Sequence, residues 1–278
     1  MKVHLRAAIA LAIILCLASA AAAQFGRFGF GGGRRAPARF PAADTFGYGF
    51  NFCRGIYTST RGEPGGQGWS TDYPDADLNF SIRLSELTKT RVKFDETGTP
   101  DFVTVRLTDD ELFQCPFILM SDVGTLTFSD HEVEVLRSYL LKGGFLWVDD
   151  FWGSYAWNEW AAEIGRVLPP SEYPIRDLSP DDHPIFRTQF QITEFPQIPS
   201  IQAWRGNPYE TSERGFDSAE PHLRAISDRH GNVMVLMSHN TDIADAWERE
   251  GEDPRYFYSF SPNGYAVGIN VLMYAMTH

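Results

Sequence analysis

Asp149 and Asp150 stand next to each other directly after the apolar run Phe145 to Val148, and they are the first residues whose type and placement could do chemistry. Adjacent carboxyls at a partly buried strand end repel each other, which raises at least one pKa unless a cation or an arginine neutralises them. Such a pair suits base catalysis or metal ligation, while an aspartate in this place also serves as a helix cap or loop hydrogen-bonder. A second constellation is His239-x-x-Asp242-x-x-Asp245. A histidine with carboxylates can bind a divalent metal, but these spacings match no specific metal signature. Asn240 or Thr241 equally suits the cap of the helix that would carry Trp247 and Glu248. Asp122 closes another apolar run, in Ser121-Asp122-Val123-Gly124, and Asp72 sits between aromatics in Trp69-Ser70-Thr71-Asp72-Tyr73-Pro74. Trp69, Tyr73 and Trp152 suit stacking on a sugar and suit core packing as well. Arg54, in the first strand, is the basic ligand-binding candidate. Asp181-Asp182-His183-Pro184 reads as a turn.

Several reaction classes leave no trace. No Gly-x-Ser-x-Gly elbow, zincin motif or phosphate-binding loop is present. Gly62, Gly65, Gly66 and Gly68 lack the spacing and the adjacent strand of a dinucleotide fingerprint.

These residues need elements to hold them. Strand-like and helix-like runs alternate, the pattern of a mostly parallel sheet with helices on both faces. Phe50 to Thr58, Pro116 to Met120 and Phe145 to Val148 read as strands, and Leu223 to Ser227 with Val233 to Ser238 as a strand pair turning at Arg229-His230-Gly231-Asn232. Helices are predicted over Asp75 to Thr88, from the capping box Ser129/Glu132 to Gly143-Gly144, from a Ser154 cap to Leu168, and from a Ser261 cap with Pro262 at the first position. Residues 169–215 are Pro-rich and irregular, which marks either an insertion wrapped over the domain or the cover of a site. In an open parallel sheet ligands bind outside the carboxyl ends of the strands, so Asp122, Asp149-Asp150 and the His239–Asp242 segment all fall at the expected edge.

The amino terminus reads as a signal for export. Lys2 and Arg6 precede an apolar run to Ala18 and small residues ending at Ala23, the layout of a cleavable secretory signal over residues 1–23. Cys16 lies inside the apolar run, which argues against a lipid anchor, and no later window is long and apolar enough for a transmembrane anchor. The chain is expected in the periplasm or outside the cell. Residues 24–40, rich in Gly and Arg, read as a flexible linker, and 41–278 as one α/β domain. All 36 acidic residues but only 18 of the 24 basic ones lie beyond residue 39, a balance of −18 that repels phosphate backbones and excludes nucleic acid as a partner. Cys53 and Cys115 make no disulfide framework, and the sequence leaves their pairing open.

Several stretches resemble the bacterial family catalogued as domain of unknown function 4159. They are Trp69 to Asp77, Leu112-Phe113 before Pro116-Phe117, Gly143 to Leu146 with Asp149-Asp150, and Ser238 to Asp242 with Asp245-Ala246-Trp247. That family is similar to class I glutamine amidotransferase-like and trehalose-utilisation-like proteins, here through Gly143-Gly144, His183-Pro184-Ile185 and His239. The resemblance implies a flavodoxin-like three-layer sandwich with a mostly parallel central sheet. It also implies a nucleophilic cysteine on the turn after the strand that starts at Gly144, where this chain has Asp149 and Asp150. Glutamine hydrolysis is therefore disfavoured. Three readings follow: a domain binding a small polar ligand, carbohydrates included, or an envelope protein; a hydrolase, metal-assisted or not, using Asp149 or Asp150 with His239; and a structural adaptor. The sequence names no cofactor and no metal.

Overall fold

The computed structural model describes residues 36–278, so the signal segment and residues 24–35 of the linker lie outside it. In chain order the strands are β1 (Phe52–Ile56), β2 (Thr58–Ser59), β3 (Phe102–Arg106), β4 (Phe117–Ser121), β5 (Leu126–Thr127), β6 (Phe145–Phe151), β7 (Arg176–Asp177), β8 (His222–Ser227) and β9 (Val233–His239). The α-helices are α1 (Asp75–Leu87), α2 (Asp130–Leu141), α3 (Gly153–Val167), α4 (Ile201–Gly206), α5 (Asp245–Glu248) and α6 (Pro254–Ala275). Seven strands form one sheet in the order β3-β1-β4-β6-β9-β8-β7. Neighbours from β3 to β9 run parallel, whereas β8 and β7 add antiparallel.

Side chains alternate across this sheet and are apolar on both faces, as strands covered from two sides must be. Phe52, Phe117 and Trp147 pack beneath α1, α5 and α6, while Cys53, Ile118, Leu146 and Val148 pack against α2 and α3. The result is an α/β sandwich with a mostly parallel sheet. None of the described helices is long and apolar enough to cross a membrane.

Local signals explain most boundaries. Ser129 and Glu132 form the expected reciprocal capping box at the start of α2. The β8–β9 turn is closed by Asp228, whose carboxylate accepts the N–H groups of His230 and Asn232. Three starts or stops differ from expectation. The third predicted strand does not end at Val148: β6 continues through both aspartates to Phe151, with its register to β9 shifting after Val148. Ser154 does not cap α3; the Asn240 carboxamide accepts the Gly153 N–H and Asp217 accepts the Ser154 N–H, so caps arrive from distant loops. The last helix starts at Pro254 under an Asp253 cap, and Ser261 and Pro262 lie inside it. The Asp-Pro start is the stronger signal because proline at the first position loses no helical hydrogen bond.

The end of the expected linker is not free. The Thr104 N–H of edge strand β3 donates to Arg39 O, Arg39 pairs with Asp101 and Tyr73 Oη donates to Pro37 O. Residues 36–40 thereby cover a sheet edge that would otherwise present unpaired backbone. Cys53 and Cys115 are joined in a disulfide, 62 residues apart in sequence.

Candidate functional site

The carboxyl ends of the parallel strands are built from strained turns. Asp122 follows β4 with φ 55°, Asp150 closes β6 with φ 55°, Asn240 follows β9 with φ 61°, and Asp72 precedes α1 with φ 63°. Residues other than glycine seldom occupy this left-handed region, and Asn and Asp tolerate it best. These turns surround a cleft of about 200 Å³. Glycine is required at one point of its wall, since a Cβ on Gly66 would collide with the Asp122 carboxylate. The neighbouring Gly68 N–H donates to Asp122 Oδ2 at 2.8 Å, so the glycine loop cradles a carboxylate of the protein itself.

Eight acidic side chains line the cleft and only two cationic ones, Arg214 and Arg249. Half of the acids have an arginine partner. Glu63 pairs with Arg61 and stands 3.9 Å from Arg214, which also meets Glu213 at 3.5 Å. Arg249 holds Glu248 at 2.8 Å and Asp245 at 3.5 Å. Asp122 forms no ion pair among the described residues, and neither do the three convergent acids Asp72, Asp150 and Asp242. Yet one carboxylate oxygen from each of these three lies within 4.8 Å of the others.

Burial sets the titration of this trio. It pushes the Asp150 carboxyl well above the ordinary range, with Asp72, Glu213 and Asp122 adding to the rise. Asp242 is pushed up by burial and then by Asp150 and Asp72. Asp72 is raised to about 7, mainly by burial and then by Asp245, with Arg54 pulling against it. Without a cation the trio therefore holds protons that ordinary aspartates release by neutral pH. Asp242 is only 3% exposed; its Oδ1 accepts the Asp245 N–H, and its other oxygen has no donor.

The two adjacent aspartates separate. Asp150 lines the cleft and accepts the Trp152 indole N–H at 2.9 Å. Asp149 is fully buried inside β6, where Oδ2 accepts the Ala244 N–H and Oδ1 has no hydrogen bond. Of the other candidates, Asp72, Asp122, Trp152, Asp242 and Asp245 also line the cleft, whereas Arg54, Trp69, Tyr73, His239 and Asn240 do not. Arg54 is wholly buried behind it, bonding Asp77, Thr71 O and Ser121 Oγ, and so supports the Asp72 turn from outside the cleft lining. Trp69 and Tyr73 pack on each other, and Asn240 caps α3. His239 has both ring nitrogens engaged, Nε2 with Gly153 O at 3.1 Å and Nδ1 with Arg224 at 3.2 Å. Burial pulls its pKa to about 4, which keeps it neutral and makes Nε2–H the donor to Gly153 O.

The family model described as Domain of unknown function (DUF4159) matches residues 57–276. The chain belongs to the DUF4159 family. No curated protein matches it. The DUF4159 span takes in every residue that lines the cleft, from Glu63 to Arg249, and leaves out Arg54. Sequence reasoning missed Glu63, Glu213 and Arg214 as site residues. The last two lie in the Pro-rich stretch, which thus does furnish part of a site wall, but no local pattern distinguishes them from surface charges.

Proposed function

We propose that this DUF4159 chain is an exported binding domain whose cleft takes a hard divalent cation and, through it, a small polar ligand. The observation that carries this reading is the convergence of Asp72, Asp150 and Asp242 without an arginine of their own. Oxygens on opposite sides of a Ca²⁺ ion lie about 5 Å apart, twice a Ca–O distance of about 2.4 Å, so three oxygens within 4.8 Å of one another can share one ion. All three donors are carboxylates, which favours calcium or magnesium over zinc or copper. The finer fold reading, a flavodoxin-like and amidotransferase-like sandwich, is supported by the left-handed backbone of Asp150 near the end of β6, just ahead of α3. There the resemblance implies a cysteine. Both cysteines of the described residues are in the disulfide, so neither supplies a thiolate. A hydrolase pairing Asp150 with His239 gains no support, because the imidazole is occupied elsewhere.

Calorimetry with Ca²⁺, Mg²⁺ and Mn²⁺ on the chain from residue 24 tests the reading. We expect one ion per chain with a dissociation constant of about 0.1–1 mM or tighter, as in extracellular calcium modules. Asp242→Asn should weaken it by about tenfold or more, as expected when a ligating carboxylate is lost. Binding of none of the three ions, or unaltered binding by Asp242→Asn, defeats the proposal.

A further inference from the structure

The cation reading leaves open which ligand the ion would meet, and the cleft wall narrows it. Three protein oxygens leave at least three of the six to eight positions of a calcium ion facing the cleft. The cleft, at about 200 Å³, is smaller than drug-sized sites of roughly 300–1,000 Å³ and admits only a small group. Its charge discriminates further. Eight acidic side chains face two arginines that are already engaged, so an anionic ligand enters against the field. A cationic ligand would compete for the same carboxylates as the ion. Neutral oxygen donors replace water on the ion without adding charge.

The uncharged wall residues fit such a donor. Gln67 and Gln202 line the cleft, and neither side-chain amide takes part in any hydrogen bond among the described residues. Both are exposed at the mouth. The Trp152 indole spends its N–H on Asp150 and is only 4% exposed, so it lines the cleft without offering a further hydrogen bond. Asp242, 3% exposed in the cleft wall, has Oδ1 bonded to the Asp245 N–H and its other oxygen without a protein donor.

Resting on the cation reading, we infer that the ligand is a neutral polyhydroxyl compound. A vicinal diol chelates the ion while the Gln67 and Gln202 carboxamides bond the remaining hydroxyls. Terbium tests this directly, because Trp152 touches a ligand carboxylate and should sensitise a lanthanide bound there. Emission lifetimes in H₂O and D₂O report how many waters the ion retains. Methyl α-mannoside should remove coordinated water saturably, with acetate and putrescine as the anionic and cationic comparisons. The double variant Gln67→Ala with Gln202→Ala should raise the mannoside midpoint by about tenfold, the worth of one or two neutral hydrogen bonds. Retention of all waters at saturating mannoside, displacement by acetate alone, or an unmoved midpoint in the double variant overturns the ligand class while the cation site stands. If terbium emission is not sensitised at all, the cation site falls and the ligand class with it.

Discussion

Two groups of buried carboxylates meet at the Asp72 turn, and the protein treats them in opposite ways. Asp77, in the first turn of α1, is fully buried against the equally buried Arg54, with Nη2 to Oδ1 at 2.5 Å and Nε within 3.1 Å of both oxygens. Arg54 Nη1 donates to Thr71 O and Ser121 Oγ, so the buried charge is answered by Asp77 and held by two loops. Asp72 and Asp242 are buried and Asp150 is half-buried, yet they face one another and form no ion pair among the described residues. Asp77 comes with its base, unlike Asp149, which is buried in β6 with only the Ala244 N–H. A cluster that lacks one is poised for something brought from outside, or else holds protons.

Breaking the answered pair should produce the largest effect. Arg54→Met leaves Asp77 as an uncompensated buried charge and is expected to cost about 3–5 kcal/mol. Denaturant unfolding at pH 7 measures it. Adding Asp77→Leu should return most of that loss, because a buried pair is often replaceable by apolar packing. If the double variant is as unstable as the single one, Arg54 is holding the Thr71 and Ser121 loops rather than answering Asp77.

The unanswered trio should respond to added cation where the pair does not. Asp72 has a folded pKa of about 7 against 3.8 unfolded, and Asp122 is raised to about 7 as well, chiefly by burial. Between about pH 4 and 7 the folded protein thus holds protons that the unfolded chain has released, and these groups cost stability as pH rises. His239 works in the other direction, since its folded pKa of about 4 lies below 6.5 and favours folding as pH rises between those values. The two trends partly cancel in a plain stability profile. They do not cancel in the difference made by calcium, because only the trio must lose protons to bind it. Calcium affinity should rise from pH 6 to 8, approaching tenfold per pH unit for each proton released. Calorimetry in buffers of different ionisation heat gives the proton count, and a value of zero would put the trio on a par with Asp77.

How much of this could be read from the chain follows the same division between local and remote causes. The capping box of α2, the apolar run of β4 and the β8–β9 turn each depend on neighbours within a few residues, and the periodicity located all three. Asp122, Asp150 and Asp242 were found because they sit where strands end, which is a consequence of parallel topology. β6 was read as too short because the reading stopped at the last apolar residue, whereas backbone pairing carries it on to Phe151 beside His239. The disulfide and the 3.9 Å approach of Arg214 to Glu63 join residues whose proximity only the tertiary fold creates. The same holds for Arg54, whose type suggested a ligand contact and whose burial makes it a support.

Asn240 offers the finest division of this kind, since one residue there does two separable jobs. Its carboxamide oxygen accepts the Gly153 N–H at 2.8 Å, which caps α3 beside the cleft, and its amide donates to Glu220 O at 2.8 Å. Its backbone sits at φ 61°, which glycine adopts freely and alanine does not. Asn240→Gly removes the cap and relieves the backbone, so the two changes oppose each other and the net cost should stay below about 1 kcal/mol. Asn240→Ala removes the cap and retains the strain, adding about 1 kcal/mol to that figure. Thermal unfolding of the two variants side by side separates the terms. Equal losses would mean that the left-handed turn after β9 carries no strain of its own, so that the four left-handed turns around the cleft are set by hydrogen bonding alone.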